Sequence, residues 1–192
     1  DRERYSGVSV LRLDWDGRMI GTRFPEDRME ADPVSLASRG VRGEKWGFHR
    51  TEILRRFPFP RFPGETFLTE ALVWNRIARE FRMYYANEAL RVCYATPGGL
   101  SRGIPGKGWR SNWALRARNP KGARLFYQES IALPYSGWPL IRSTLNYIRF
   151  SYHAGGGPLR TIRDSPRPFL TWAATPAAAL VFLRDRTILR LE

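Results

Sequence analysis

Two glutamates, Glu65 and Glu70, stand five residues apart in GETFLTEALVWNRIA, where a proline-rich loop gives way to a helical pattern. A carboxylate there can take a proton from a hydroxyl as its oxygen attacks, the work of a general base. Glutamate in the first turn of a helix is also favoured by the macrodipole alone, so a structural reading stands beside the chemical one. Trp46 and Phe48 could stack on a sugar face or fill a core. Arg50 could hold an anionic group or brace the fold. Arg102 and Lys107 lie in PGGLSRGIPGKGW (97–109), where a glycine-rich loop could close over phosphates or simply be solvated.

Other constellations fail on spacing. Gly106-Lys107 evokes a phosphate-binding loop, but Ser101 takes the first glycine position and Gly108 replaces the Ser/Thr. His49 and His153 have no cysteine or histidine at ligand spacing, which argues against a zinc site. No nucleophile elbow accompanies them. Asp14-Trp15-Asp16 has the DxD form that holds a metal and a nucleotide diphosphate, yet it runs into Gly17, and turn-forming aspartates are the favoured reading.

The elements that must position these groups follow from the pattern. VSVLRLDWDGRMIGTRF (8–24) alternates about Asp16-Gly17, as a hairpin does. Asp32-Pro33 opens a short helix through Ala37. Residues 43–49 read as a turn and a short extended piece, Thr51 to Arg56 as a helical turn, and 57–64 as an irregular loop. Thr69 to Phe81 reads as the best helix of the chain, with Trp74, Ile77, Ala78 and Phe81 at helical spacing. Residues 82–95 read as two short strands broken near Asn87. After residue 109 helices dominate, near Gly122–Leu133 and Trp138–His153. FLTWAATPAAALVFL (169–183) is uncharged, interrupted by Pro176 and too short to cross a bilayer; a buried helix and a shallow membrane insertion both fit it.

Hydrophobic residues at 43% and aromatics at 14% permit a real core and exclude wholesale disorder. The lone Cys93 cannot form an internal disulfide. A formal net charge of +14, spread along the chain, favours anionic partners: nucleic acid, an acidic membrane face or phosphorylated substrates. Residues 1–20 show no signal-peptide pattern.

The run GEKWGFHRTEIL, FPGETFLTEALVWNRIA, YYANEAL and GLS, in that order, resembles the acceptor-side segment of family 2 glycosyltransferases, in a bacterial subgroup that modifies cell-surface glycans. NYIRFSYHAGG (146–156) is similar to that subgroup's trailing helix. The resemblance covers residues 1 to about 156 and is strongest over 43–102. It implies an α/β fold: the acceptor-side half of a GT-A mixed sheet over residues 1–96, then a basic glycine-rich loop and a mainly helical extension over 97–192, whose aromatic and basic helices fit a membrane surface and ordinary helix packing alike. It implies an inverting transfer of sugar from a nucleotide-sugar donor to a glycan or lipid-linked acceptor. Catalysis falls to Glu70, with Glu65 second; Arg50, Trp46, Phe48, Arg102 and Lys107 bind substrate. Thr69-Glu70-Ala71 stands where the family has Thr-Glu-Asp, so the family's aspartate base is alanine here. A divalent manganese or magnesium ion is expected in the complete enzyme, with no ligands in this chain. The family's nucleotide-binding half has no counterpart in the sequence, so the chain is expected to be inactive alone. The implied location is cytoplasmic, at the inner face of the plasma membrane. The competing readings are a small basic nucleic-acid-binding module, for which no recognised motif is present, and a non-catalytic membrane-surface protein.

Overall fold

The computed structural model describes residues 2–94 and 113–189 and shows a mixed α/β protein, with one four-stranded mixed sheet and several helices. Two compact units divide it, Asp1–Phe59 with Val73–Leu100 and Pro60–Leu72 with Ser101–Glu192. Residues 60–72 thus belong with the helices although they precede the last strand. The glycine-rich loop, including Arg102 and Lys107, lies outside the described residues.

In the sheet unit, β1 (Tyr5–Asp14) is central. It runs parallel to β4 (Arg82–Cys93) on one edge and antiparallel to β3 (Trp46–His49) on the other, and β2 (Arg28–Ala31) pairs with the far side of β4. The turn expected at Asp16-Gly17 forms, held by the Asp14 carboxylate, which accepts the amides of Asp16 at 3.0 Å and Arg18 at 2.8 Å. Its return arm is not a full strand and reaches β1 only as the bridge Leu13–Met19. The reason is that β4 occupies one edge of β1 throughout, and β3 takes residues 7–10 of the other. Gly7 lets β3 come close: a Cβ there would stand 1.9 Å from the Phe48 carbonyl oxygen.

The break expected near Asn87 is a bulge inside one continuous strand. Ala86 faces Val10 and Ala89 faces Leu11, leaving Asn87 and Glu88 unpaired in the ladder. Asn87 turns this to use. Its side-chain oxygen accepts the Phe24 amide at 2.8 Å, and its Nδ2 donates to the carbonyls of Phe24 and Glu26, both at 3.0 Å. Phe24 is thereby seated in a cluster with Leu11, Met29, Ala31, Leu36 and Tyr85. Leu36 comes from α1 (Pro33–Ser38), capped as expected: Asp32 accepts the Ser35 amide at 2.9 Å.

Between these strands, α2 (Thr51–Arg56) packs Ile53 against Val73 and Ile77 of α3 (Ala71–Ile77). α3 is shorter than the Thr69–Phe81 expected. Upstream, the Thr66 and Phe67 amides are drawn away by Asn119, which keeps the strap extended. Downstream, the amides of Arg79 and Glu80 bond three residues back, closing the helix in a tight turn.

The helical unit is built on α5 (Pro120–Ile131), α6 (Gly137–His153) and α8 (Pro168–Leu189), with short α4 (Trp113–Arg118) and α7 (Pro158–Arg163). Ile131, Tyr147, Ile148 and Phe150 are fully buried in its core with Ala123, Tyr127 and Ala178. Each such large side chain contributes about 1.5–3 kcal/mol by leaving water. Pro176 sits inside α8 without ending it. No helix among the described residues is long and apolar enough to cross a membrane. The 169–183 run is not a buried helix. It buries one narrow stripe and leaves Phe169, Trp172, Leu180 and Leu183 exposed.

Candidate functional site

On β3, Trp46 and Phe48 lie two residues apart and so share one face of the sheet. Their ring centroids are 6.3 Å apart in an edge-on arrangement, and Phe48 is 59% exposed. The Arg91 guanidinium lies 5.8 Å from the Trp46 ring, and Arg12 pairs with Glu44 at 2.5 Å. Register places Val8 opposite Phe48, Val10 opposite Trp46, and Arg12 beside Arg91, on this same face. The result is an aromatic and basic surface on the outermost strand, whose far edge carries no further strand among the described residues. Flat rings beside guanidinium groups suit a sugar face or a nucleobase.

The opposite side of β3 carries His49. Its ring stacks on Trp74 at 4.5 Å, and burial pushes its pKa down, so it is neutral near pH 7. Arg50, expected to bind substrate, is the residue on which β3 turns into α2. Its amide donates to the Ser6 carbonyl at 2.7 Å, its carbonyl accepts the amides of Ile53 and Leu54, and its guanidinium lies 3.2 Å from Glu52. These contacts show bracing of the fold.

The two carboxylates are placed in the strap of the helical unit, in different surroundings. Glu65 accepts the Lys121 amide at 2.6 Å on one oxygen and the Gly122 amide at 2.8 Å on the other. Those are free donors at the start of α5, where Asn119 supplies no side-chain cap. Glu65 is therefore a helix cap borrowed from a distant segment. Asn119 is occupied elsewhere: its oxygen accepts the Thr66 and Phe67 amides at 2.7 and 3.0 Å, and its Nδ2 donates to the Leu115 carbonyl at 2.8 Å. Glu70 lies exposed in the turn before α3, outside the helix it was expected to open.

No protein-family model matches this chain, no curated protein matches it, and no solved structure matches it.

A cavity of about 350 Å³ opens in the helical unit, lined by Phe62, Lys121, Arg124, Gln128, Gly156 and Arg160 among others. Its cations favour an anionic occupant, but Arg124 is already committed to Asp164 at 2.9 Å, and neither Glu65 nor Glu70 lines it. Among the described residues no group of three His, Cys, Asp or Glu side chains is gathered, and Asp14 spends its carboxylate on the Asp16 turn.

Two groups escaped sequence reasoning. Asn119-Pro120 marks where α5 begins, and an Asn-Pro pair is a readable helix-start signal. The contact of Arg149 and His153 with Asp185 spans more than thirty residues and leaves no local pattern.

Proposed function

We propose that this chain is the acceptor-side part of an inverting GT-A glycosyltransferase, passing sugar from a nucleotide-sugar donor to a glycan or lipid-linked acceptor at the cytoplasmic face of a membrane. The observation that carries the reading is the unfinished sheet. Among the described residues no strand lies beyond β3, and Phe48 stands exposed there beside a half-buried Trp46 on the same face. An edge strand presents unpaired backbone groups on which a further strand can dock. A nucleotide-binding half docking there would complete the sheet and place a donor against the aromatic surface. In this reading Glu70, the exposed carboxylate before α3, is the base that deprotonates the acceptor hydroxyl. In the sheet unit, Trp46 and Phe48 offer rings on which a sugar can stack, and Arg50 braces the strand that carries them.

The test is a screen of nucleotide-sugar donors against a protein extended upstream in the same reading frame, with manganese or magnesium supplied. Transfer is expected with one donor class. Glu70→Gln should cut turnover by about 10²–10⁴ while leaving donor affinity within a few-fold. Turnover unchanged by Glu70→Gln removes that residue as base, and no transfer from any donor overturns the reading.

A second reading draws on the same surface. Trp46, Phe48 and Arg91 form a stacking platform of the kind that binds single-stranded nucleic acid. It requires affinity for single strands that falls steeply with salt and drops about tenfold or more on Trp46→Ala.

A further inference from the structure

Helix α8 is amphipathic in the wrong sense for water. Its fully buried stripe, at a spacing of seven, is Thr171, Ala178 and Asp185, two of them polar. The opposite stripe is apolar and open to solvent, with Phe169 88% exposed, Trp172 68%, Leu180 69% and Leu183 56%. Ala173, Pro176 and Ala177 fill the exposed positions between them. A helix on a water-facing surface presents its polar side outward. This one spends its polar side on the interior, where Asp185 is held by Arg149 and His153 and Thr171 bonds Ser165.

The charges around the stripe are of one sign. Arg167 immediately precedes α8 and Arg184 follows Leu183, while between them the helix is uncharged over a length of about 24 Å. From Gly137 to Leu189 the acids are Asp164 and Asp185. Asp185 is fully buried, and Asp164 is paired with Arg124, Arg160 and Arg163. Arg142, Arg160, Arg163, Arg167, Arg184 and Arg186 are exposed. A second copy laid on this face would bring arginines onto arginines with no exposed acid to separate them.

We propose that the outer face of α8 lies in the plane of an anionic lipid bilayer. Phe169, Leu180 and Leu183 enter the acyl boundary, the Trp172 indole sits at headgroup depth, and the flanking arginines reach the lipid phosphates. This inference is independent of the glycosyl-transfer reading, since it needs neither donor nor acceptor.

The full chain should sediment with vesicles of phosphatidylcholine and phosphatidylglycerol (3:1), at least tenfold more strongly than with phosphatidylcholine alone. Leu180→Glu with Leu183→Glu should abolish that binding and leave the thermal melt unchanged, because both side chains already face solvent. Arg167→Ser with Arg184→Ser should weaken it by roughly fivefold per arginine, the equivalent of about 1 kcal/mol each near an anionic surface. Brominated lipid should quench tryptophan emission in the parent chain, and markedly less in Trp172→Phe; this reading needs no destabilising substitution. Equal binding to neutral vesicles, binding unaffected by the two glutamates, or quenching unchanged by Trp172→Phe would overturn the proposal. So would failure to bind vesicles together with a dimer, seen by light scattering, that Leu180→Glu dissociates.

Discussion

The Glu65 carboxylate accepts the Gly122 amide at 2.8 Å, so a residue of the proline-rich strap caps a helix that starts more than fifty residues later. The adjacent Lys121 amide takes its other oxygen. This one contact closes the start of α5 and anchors the segment from which Glu70 emerges.

Glu65→Ala should destabilise the protein by about 1–2 kcal/mol, as loss of a charged cap at a helix N-terminus does. Glu65→Gln, which keeps an acceptor and loses the charge, should fall between. Urea denaturation measures both. Gly122→Ala should also destabilise, despite alanine's helix preference, because its Cβ would stand 2.9 Å from Leu68 Cδ1 and 3.2 Å from the Glu65 carboxylate. Equal stability of Glu65→Ala and parent would show the cap to be idle.

Asn87→Ala should cost about 1–3 kcal/mol, because it strands the Phe24 amide and the carbonyls it now satisfies in the bulge. Hydrogen exchange is the sharper readout. The Phe24 amide should exchange much faster in the variant, while amides in the β1–β4 ladder below the bulge keep their protection.

Asp185 links stability to pH. Burial alone would raise its carboxyl, but hydrogen bonds from His153 and Arg149 and their charges outweigh burial and hold it below the usual carboxylate range. A depressed folded pKa means that this stabilisation is present above the ordinary carboxylate pKa of about 4 and is lost as pH falls through the folded value. Asp185→Asn should cost about 3–5 kcal/mol at pH 7, because it leaves Arg149 buried without its counter-charge. Its stability should also fall less steeply than the parent's between pH 5 and pH 2. Asp32, likewise held low against its burial by Ser35 and Arg82, keeps some acid dependence in both proteins.

His49 acts in the same direction as Asp185, at the higher-pH end of the acid limb. Its lowered pKa means that the unfolded chain binds a proton which the folded chain refuses, so stability falls as pH drops below the ordinary value of about 6.5. The imidazole should titrate by NMR with a midpoint below 6.5. His49→Phe, which keeps a ring against Trp74, should flatten the stability profile between pH 7 and pH 5. A midpoint at or above 6.5 would contradict the buried, neutral ring.

Local elements with their own signals were readable in advance. The Asp32 cap and Pro33 start, the Thr51–Arg56 helix, the short strand ending at His49 and the tight turn at Gly17 all form where composition places them. Each is decided by residues within a few positions of one another, and neighbouring backbone bonds are nearly all that is needed. The hairpin arm, the break at Asn87 and the length of α3 were misread for one shared reason. Each depends on which distant segment claims an edge or an amide: β3 and β4 on β1, Phe24 on Asn87, Asn119 on the strap.

The candidate site divides along the same line. That Trp46 and Phe48 share a face follows from strand alternation and is legible in WGFH. That this face belongs to the outermost strand among the described residues is a matter of sheet order. Residue type and spacing nominated both Glu65 and Glu70, and only the family resemblance put Glu70 first, since either carboxylate can serve a helix terminus or a proton. Tertiary placement shows what Glu65 does: its oxygens accept the Lys121 and Gly122 amides, a partnership that leaves no local pattern. In α8 likewise, an uncharged run announced itself in the chain, but only packing showed its polar stripe turned inward. Pairing partners for Asp185 lie on another helix, and periodicity within one segment carries no information about a neighbour across the core.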